Sequence, residues 1–201
     1  MRMTDIRGYV LAGGHSSRMG SDKALLAVNH HTAIEHQCEL LEPFCPQGVF
    51  IAGARSKKLH DMRWPVIQDE DQDQGPLSGI LAAMQHAQNG IALIVAVDLV
   101  ALTHADIAAL IDANTHNYEE QPDVFYAHSQ HDPNENGAQP LCAVWRVETS
   151  RPVLNQQFVD NQRSVMKAWL GLRRHRVVIA ESRLININSP EDFANFRRAE
   201  G

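Results

Sequence analysis

The chain has 201 residues and a formal net charge of −6 at pH 7, with 44% of its residues hydrophobic and 21% charged. That length supports one sizeable core, read here as a single domain over residues 1–201, and the acidic balance excludes a general pull toward nucleic acid or anionic membrane. No apolar run approaches the roughly 18 residues that span a bilayer, and the opening Met1-Arg2-Met3-Thr4-Asp5 carries no secretory pattern, so the expected location is the cytoplasm.

The predicted elements begin with an apolar strand, Tyr9-Val10-Leu11-Ala12, that runs into Gly13-Gly14. Leu25-Leu26-Ala27-Val28 reads as a short extended piece, turned by Asn29-His30-His31. Thr32 then caps a helix, with Glu35 completing a capping box. Ile34, Cys38 and Leu41 share one face of that helix, and Pro43 and Pro46 end it. Val49–Gly53 is a continuous apolar strand of the parallel kind. Leu59–Trp64 is a weak connector, and Val66-Ile67 a short strand that ends in Gln68-Asp69.

The acidic stretch Glu70-Asp71-Gln72-Asp73 reads as a solvated loop, and Pro76 suits the first turn of the next helix. Leu77, Ile80, Leu81, Met84 and Ala87 make that helix's inward stripe. Ile91–Val97 is the most apolar strand and is expected at the centre of the sheet, with Asp98 following at its carboxyl end. Thr103 caps a helix carrying Ile107, Leu110 and Ile111, and Val124–Ala127 is a strand. Ser129–Gln139 reads as an exposed loop and Leu141–Trp145 as a strand. Helices are expected after Ser150 and over Ser164–Leu170, then a basic run, Arg173-Arg174-His175-Arg176, and a late strand, Val177–Ala180. The basic run reads as solvated, with a substrate phosphate as its alternative partner. Ser189 and Pro190 open a final helix.

Strands alternating with helices give an α/β class: a Rossmann-like three-layer sandwich, with a mostly parallel central sheet and helices on both faces. Three scattered cysteines, Cys38, Cys45 and Cys142, form no Cys-x-x-Cys pair and suit reduced thiols. The 11 histidines show none of the usual zinc spacings.

The stretch with chemistry is Leu11-Ala12-Gly13-Gly14-His15-Ser16-Ser17-Arg18-Met19-Gly20-Ser21-Asp22-Lys23. Two glycines after a strand let backbone amides approach an anion, and Arg18 and Lys23 add cations. It lacks the Gly-Lys-Ser/Thr ending of a P-loop and the spacing of a dinucleotide fingerprint. Asp98 at a strand end suits Mg²⁺, a hard cation that takes one or two carboxylates with phosphate oxygens. Loop, lysine and metal together favour displacement at phosphorus, and an acceptor that is itself a phosphate needs no general base. Helix capping remains an alternative reading of Asp69 and Asp98, and turn shaping one of Asn186 and Asn188.

The stretch matches, at every fixed position, the signature Leu-Ala-Gly-Gly-x-Ser-x-Arg-Met-Gly-x-Asp-Lys. The chain therefore resembles the nucleotidyltransferases that build molybdenum cofactors, the molybdenum cofactor guanylyltransferase family in particular. Asp69 with Gly75-Pro76-Leu77-Ser78-Gly79, Asp98, Gln139-Pro140-Leu141 and Asn186-Ile187-Asn188-Ser189-Pro190-Glu191-Asp192 resemble that family's later motifs. The resemblance implies contacts to GTP from Leu11, Ala12, Gly13, Gly14, Lys23, Asp69, Gly75 and Asp98, with Mg²⁺ at Asp98. It implies that Arg18, Gln139, Asn186 and Asn188 serve the molybdopterin side, and that Lys23, Arg18 and Asp98 carry catalysis. The implied reaction moves GMP from GTP to the phosphate of molybdopterin and releases pyrophosphate, with transient contacts to cofactor-synthesis or molybdoenzyme-delivery proteins. A related enzyme using CTP or a sugar-phosphate acceptor is an alternative, as is a non-catalytic nucleotide-binding regulator. Two departures stand out. Asp98-Leu99-Val100 lacks the family's proline, which predicts a freer turn in the unbound protein, and Ala52-Gly53-Ala54 lacks an asparagine the family often carries.

Overall fold

Ile91–Ala96 is buried at every position because it forms the middle strand of a seven-stranded sheet, covered on both faces. In this computed structural model the described residues are 5–13, 23–28, 30–53, 56–67, 75–116, 118–130, 137–187, 189, 191–192, 194–195 and 198. Among them the elements run β1 (Ile6–Leu11), β2 (Ala27–Val28), β3 (His31–Thr32), α1 (Ala33–Leu41), β4 (Val49–Ala52), β5 (Val66–Ile67) and α2 (Pro76–Ala87). Then follow β6 (Ile91–Ala96), α3 (His104–Thr115), β7 (Val124–Ser129), β8 (Ala138–Arg146), α4 (Val147–Val159), α5 (Val165–Ala168) and β9 (Arg174–Ile179).

The sheet order is β5-β4-β1-β6-β8-β7-β9, and β2 and β3 form a separate small hairpin. Pairings β5–β4, β4–β1, β1–β6 and β7–β9 are parallel, while β8 runs antiparallel to both β6 and β7. Side chains alternate between two cores. Val10, Leu93, Val95 and Val144 pack with α1 and α3 on one face. Tyr9, Ile94 and Trp145 pack with α2, Leu154 of α4 and Trp169 on the other. This is the expected three-layer arrangement.

Local sequence explains the helix ends. Thr32 and Thr103 each accept from the amide three residues on, and Glu35 and Asp106 return the bond to the cap. Each such cap stabilises its helix by about 1 kcal/mol.

Several boundaries differ from expectation. Lys23–Leu25 is a 3₁₀ turn, so only Ala27–Val28 of the expected extended piece is strand. Lys57–Asp61 in the connector is also 3₁₀. β8 begins at Ala138, which takes Ala138 and Gln139 out of the expected loop. α4 begins at Val147, so Ser150 lies inside it and donates to the Asp123 carbonyl. α5 is helical only over Val165–Ala168 before a 3₁₀ turn. β9 begins at Arg174, because pairing with β7 extends through the basic run, and charged residues suit an edge strand. The expected final helix is borne out: Glu191, Asp192, Ala194, Asn195 and Arg198 are helical, and the Ser189 hydroxyl accepts from the Asp192 amide at 3.0 Å.

Candidate active site

Four parallel strands end in one row. Ile67 pairs with Ala52, Ala52 with Leu11, and Leu11 with Ala96. The chain proceeds from β1 outward to β4 and β5 and then returns to place β6 on the other side of β1. Helix α1 covers one face and α2 the other. The strand order therefore reverses between β1 and β6, and open α/β sheets bind ligands in the crevice beyond the carboxyl ends at such a point. Gly13 and Asp98 each stand two residues past the end of their strand at this crevice.

The Nζ of Lys23 lies 3.7 Å from Oδ2 of Asp98, with the two side chains 31% and 22% exposed. Burial pushes the Asp98 carboxyl above its usual range, and the charge of Lys23 pulls the other way. A partly exposed pair at this separation contributes little to stability. It does hold a cation and a carboxylate side by side where a ligand would enter, as functional sites commonly do.

Leu11 is buried and its carbonyl accepts from the Val97 amide at 3.1 Å, while the Ala12 amide donates to the Ala52 carbonyl at 2.9 Å. Gly13 is exposed. A Cβ on it would come within 3.1 Å of the Gly53 carbonyl oxygen, and Gly53 itself has φ +71°. The two glycines thus allow β1 and β4 to release their chains in backbone contact. Gly53, which the sequence presents only as a missing asparagine, is a part of the site that the sequence reading passes over. A glycine just past an apolar strand was the available signal.

Gly75 caps α2 with φ +88° and its carbonyl accepts from the Ser78 hydroxyl at 2.8 Å. One turn on, a Cβ at Gly79 would sit 3.3 Å from Leu11 Cδ2, so the start of α2 lies against the end of β1. Gln139 belongs to β8. It pairs with Ala127 of β7, just past a register shift that begins after Tyr126–Ala143. Asn186 is exposed and adjoins Ile187, whose amide donates to the Asp98 carbonyl at 2.8 Å. Gly14, Arg18, Asp69 and Asn188 lie outside the described residues.

Where the missing proline predicts a freer turn, the structure shows a packed and hydrogen-bonded one after Asp98. Leu99, Val100, Ala101 and Leu102 are all buried. The Leu99 and Leu102 amides donate to the carbonyls of Ala96 and Leu99. His36 contacts the Val100 carbonyl and Arg183 donates to that of Ala101. Apolar packing and these bonds replace the stiffness a proline would supply. A lone histidine on a helix and a lone arginine near the end of the chain gave no sequence signal for this role.

A family model described as the MobA-like NTP transferase domain matches residues 8–180. The chain belongs to the MobA-like NTP transferase family. A Rhodopirellula baltica protein named probable molybdenum cofactor guanylyltransferase is 31% identical over 195 residues, which cover 92% of this chain and 89% of its own. The solved structure of molybdopterin-guanine dinucleotide biosynthesis protein A from Archaeoglobus fulgidus matches with a TM-score of 0.71 at 18% identity, over 96% of this chain and 97% of that one. That of 4-diphosphocytidyl-2C-methyl-D-erythritol synthase from Anaerococcus prevotii gives 0.73 at 9% identity, over 99% of each chain. At these identities the two structures speak for the fold. As a MobA-like NTP transferase the chain is an enzyme, a nucleotidyltransferase. Among the described residues no helix is long and apolar enough to cross a membrane.

Proposed function

We propose that this nucleotidyltransferase is a cytoplasmic molybdenum cofactor guanylyltransferase, moving GMP from GTP to the terminal phosphate of molybdopterin. An acceptor phosphate oxygen bonds to the α-phosphorus, the bond between α-phosphorus and its bridging oxygen to the β-phosphate breaks, and pyrophosphate leaves. The observation that carries this reading is the Lys23–Asp98 pair at the strand-order reversal, two residues past β6 and close to the glycine stretch. The names of relatives such as the Rhodopirellula baltica protein support the choice of nucleotide and acceptor.

In this reading Leu11, Ala12 and Gly13 present backbone to the nucleotide, joined by Gly14, Asp69 and Gly75. Lys23 sits beside the β- and γ-phosphates and neutralises charge gathering on the leaving pyrophosphate. Arg18, Gln139, Asn186 and Asn188 hold the acceptor. Asp98 fits Mg²⁺ by chemistry, because it offers a hard oxygen donor from a partly exposed carboxylate, and phosphate oxygens would complete the shell. When bound, Mg²⁺ supplies charge neutralisation at the phosphates.

Pyrophosphate release should be measured with GTP, CTP, ATP and UTP in turn, with and without molybdopterin. Release that requires both GTP and molybdopterin is expected. Release with CTP alone among the nucleotides, or with a sugar phosphate in place of the pterin, would replace the proposal with a related transferase. No release under any combination would favour a nucleotide-binding regulator.

A further inference from the structure

Three carbonyls of the Asp98 turn are held by groups from distant parts of the chain. The Ile187 amide donates to the Asp98 carbonyl at 2.8 Å. Nε2 of His36, on α1, lies 3.1 Å from the Val100 carbonyl oxygen. A carbonyl only accepts, so Nε2 carries the proton and the ring's tautomer is fixed. The Arg183 guanidinium donates to the Ala101 carbonyl at 3.4 Å. Arg183 and Ile187 belong to one short segment that also carries Asn186.

We infer that His36 and Arg183 are positioning residues for Asp98, and that residues 183–187 form a strap joining the acceptor-side segment to the carboxylate. The inference rests on the proposed role of Asp98 at Mg²⁺. The bonds from both side chains to this turn go to main-chain oxygens. Each fixes a main-chain oxygen two or three residues further on, and so restricts the orientations in which the turn can present the carboxylate. Groups behind a metal ligand act in this way by fixing the ligand's geometry. Packing alone does not account for the arrangement, because Leu99, Val100 and Leu102 already bury the turn's side chains while the two anchors engage its carbonyls.

The test compares His36→Leu, His36→Gln and Arg183→Met in the full chain. Two quantities are read: the Mg²⁺ concentration for half-maximal pyrophosphate release at saturating GTP, and amide hydrogen exchange without nucleotide or metal. His36→Leu and Arg183→Met should raise the Mg²⁺ requirement about tenfold, the lower end of what losing a partner behind a metal ligand costs. The maximal rate should return at high Mg²⁺. His36→Gln keeps a donor and should stay near the wild type. Exchange at Leu99 and Leu102 should quicken in the Leu and Met variants while β6 stays protected. An unchanged Mg²⁺ requirement, or exchange that quickens equally throughout β6, overturns the positioning role. If Asp98→Asn itself turns over normally with Mg²⁺, the proposed metal role has failed instead. The exchange of Leu99 and Leu102 then decides whether the two anchors hold the turn at all.

Discussion

Lys23 Nζ stands 3.7 Å from Asp98 Oδ2 across the carboxyl ends of β1 and β6. The lysine comes from a 3₁₀ turn after the glycine stretch and the aspartate from the turn after the central strand. The pair is partly exposed, and such a pair contributes little to stability. Lys23→Ala should leave the thermal midpoint close to that of the wild type and lower turnover by about 10²–10³, the scale of one preorganised electrostatic contact. A variant retaining more than half the wild-type rate of pyrophosphate release would remove Lys23 from the mechanism.

Asp98 should trade stability against activity. Burial raises its folded pKa, with Lys23 opposing. A raised pKa contributes stability that is fully present below the unfolded value, about 3.9, and is lost as pH rises through the folded one. At neutral pH the ionised carboxylate is therefore a net cost to the unliganded fold. Asp98→Asn should melt no lower than the wild type at pH 7 in the presence of a chelator, yet lose Mg²⁺-dependent turnover. A clear fall in melting temperature, or normal turnover, would count against this account.

The fold was readable from the sequence because its strands are doubly buried. An uninterrupted apolar run such as Ile91–Ala96 signals a central strand without any partner being known. Thr32–Glu35 and Thr103–Asp106 mark helix starts through chemistry confined to four residues. What stayed hidden depends on partners far away. β8 runs antiparallel because of how β6 and β7 flank it, and nothing in Leu141–Trp145 encodes direction. The turn after Asp98 is bonded by His36, Arg183 and Ile187 from 64, 82 and 89 positions away in the chain, while its local sequence announces only a missing proline. Gly53 matters for its backbone contact with Gly13, a relation between two strand ends that neither glycine reveals alone.

The family resemblance implies guanine, because cytidylyltransferases acting on the same pterin typically have alanine at the place of Gly13 and the missing methyl leaves room for a purine. The structure adds that a methyl there would press on the Gly53 carbonyl at 3.1 Å, so glycine at 13 also suits the backbone. GTP should be preferred over CTP by at least about tenfold, or about 1.4 kcal/mol. Equal or reversed use of the two nucleotides in competition would sink the guanine assignment and spare the fold.

Gly53 offers a test of the backbone contact alone. Its φ of +71° is costly for any residue with a Cβ, and that Cβ would meet the Gly13 nitrogen at 3.3 Å. Gly53→Ala should destabilise the protein by about 1–2 kcal/mol, the scale of a left-handed residue with a side chain. The same change should raise the KM for the nucleotide, because Gly13 must move. If Gly53→Ala unfolds at the wild-type denaturant midpoint with an unchanged KM, the paired glycines are not what sets the exit of β1.

Asp123 carries the opposite pH signature to Asp98. Burial works to raise its carboxyl pKa, but the bonds from Arg173 outweigh burial and hold it below the usual carboxylate range. The Arg173 amide donates to Oδ2 at 2.9 Å, Nε to the same oxygen at 3.3 Å and Nη2 to Oδ1 at 3.1 Å. Arg173 is thus a clamp between the start of β7 and the approach to β9, which accounts for one member of the basic run without any substrate phosphate. A lowered folded pKa contributes stability that is fully present above the unfolded value, about 3.9, and is lost as pH falls through the folded one. Asp123→Asn should therefore lower the melting temperature most at neutral pH, with the gap to the wild type closing below about pH 4. Arg173→Met should cost more than Asp123→Asn, because it leaves a buried carboxylate without its cation. Adding Asp123→Asn to Arg173→Met should then recover part of the loss. Melting curves of the four proteins from pH 3 to pH 7 decide the matter, and a gap that widens on acidification would show that the clamp does not set the stability of this corner.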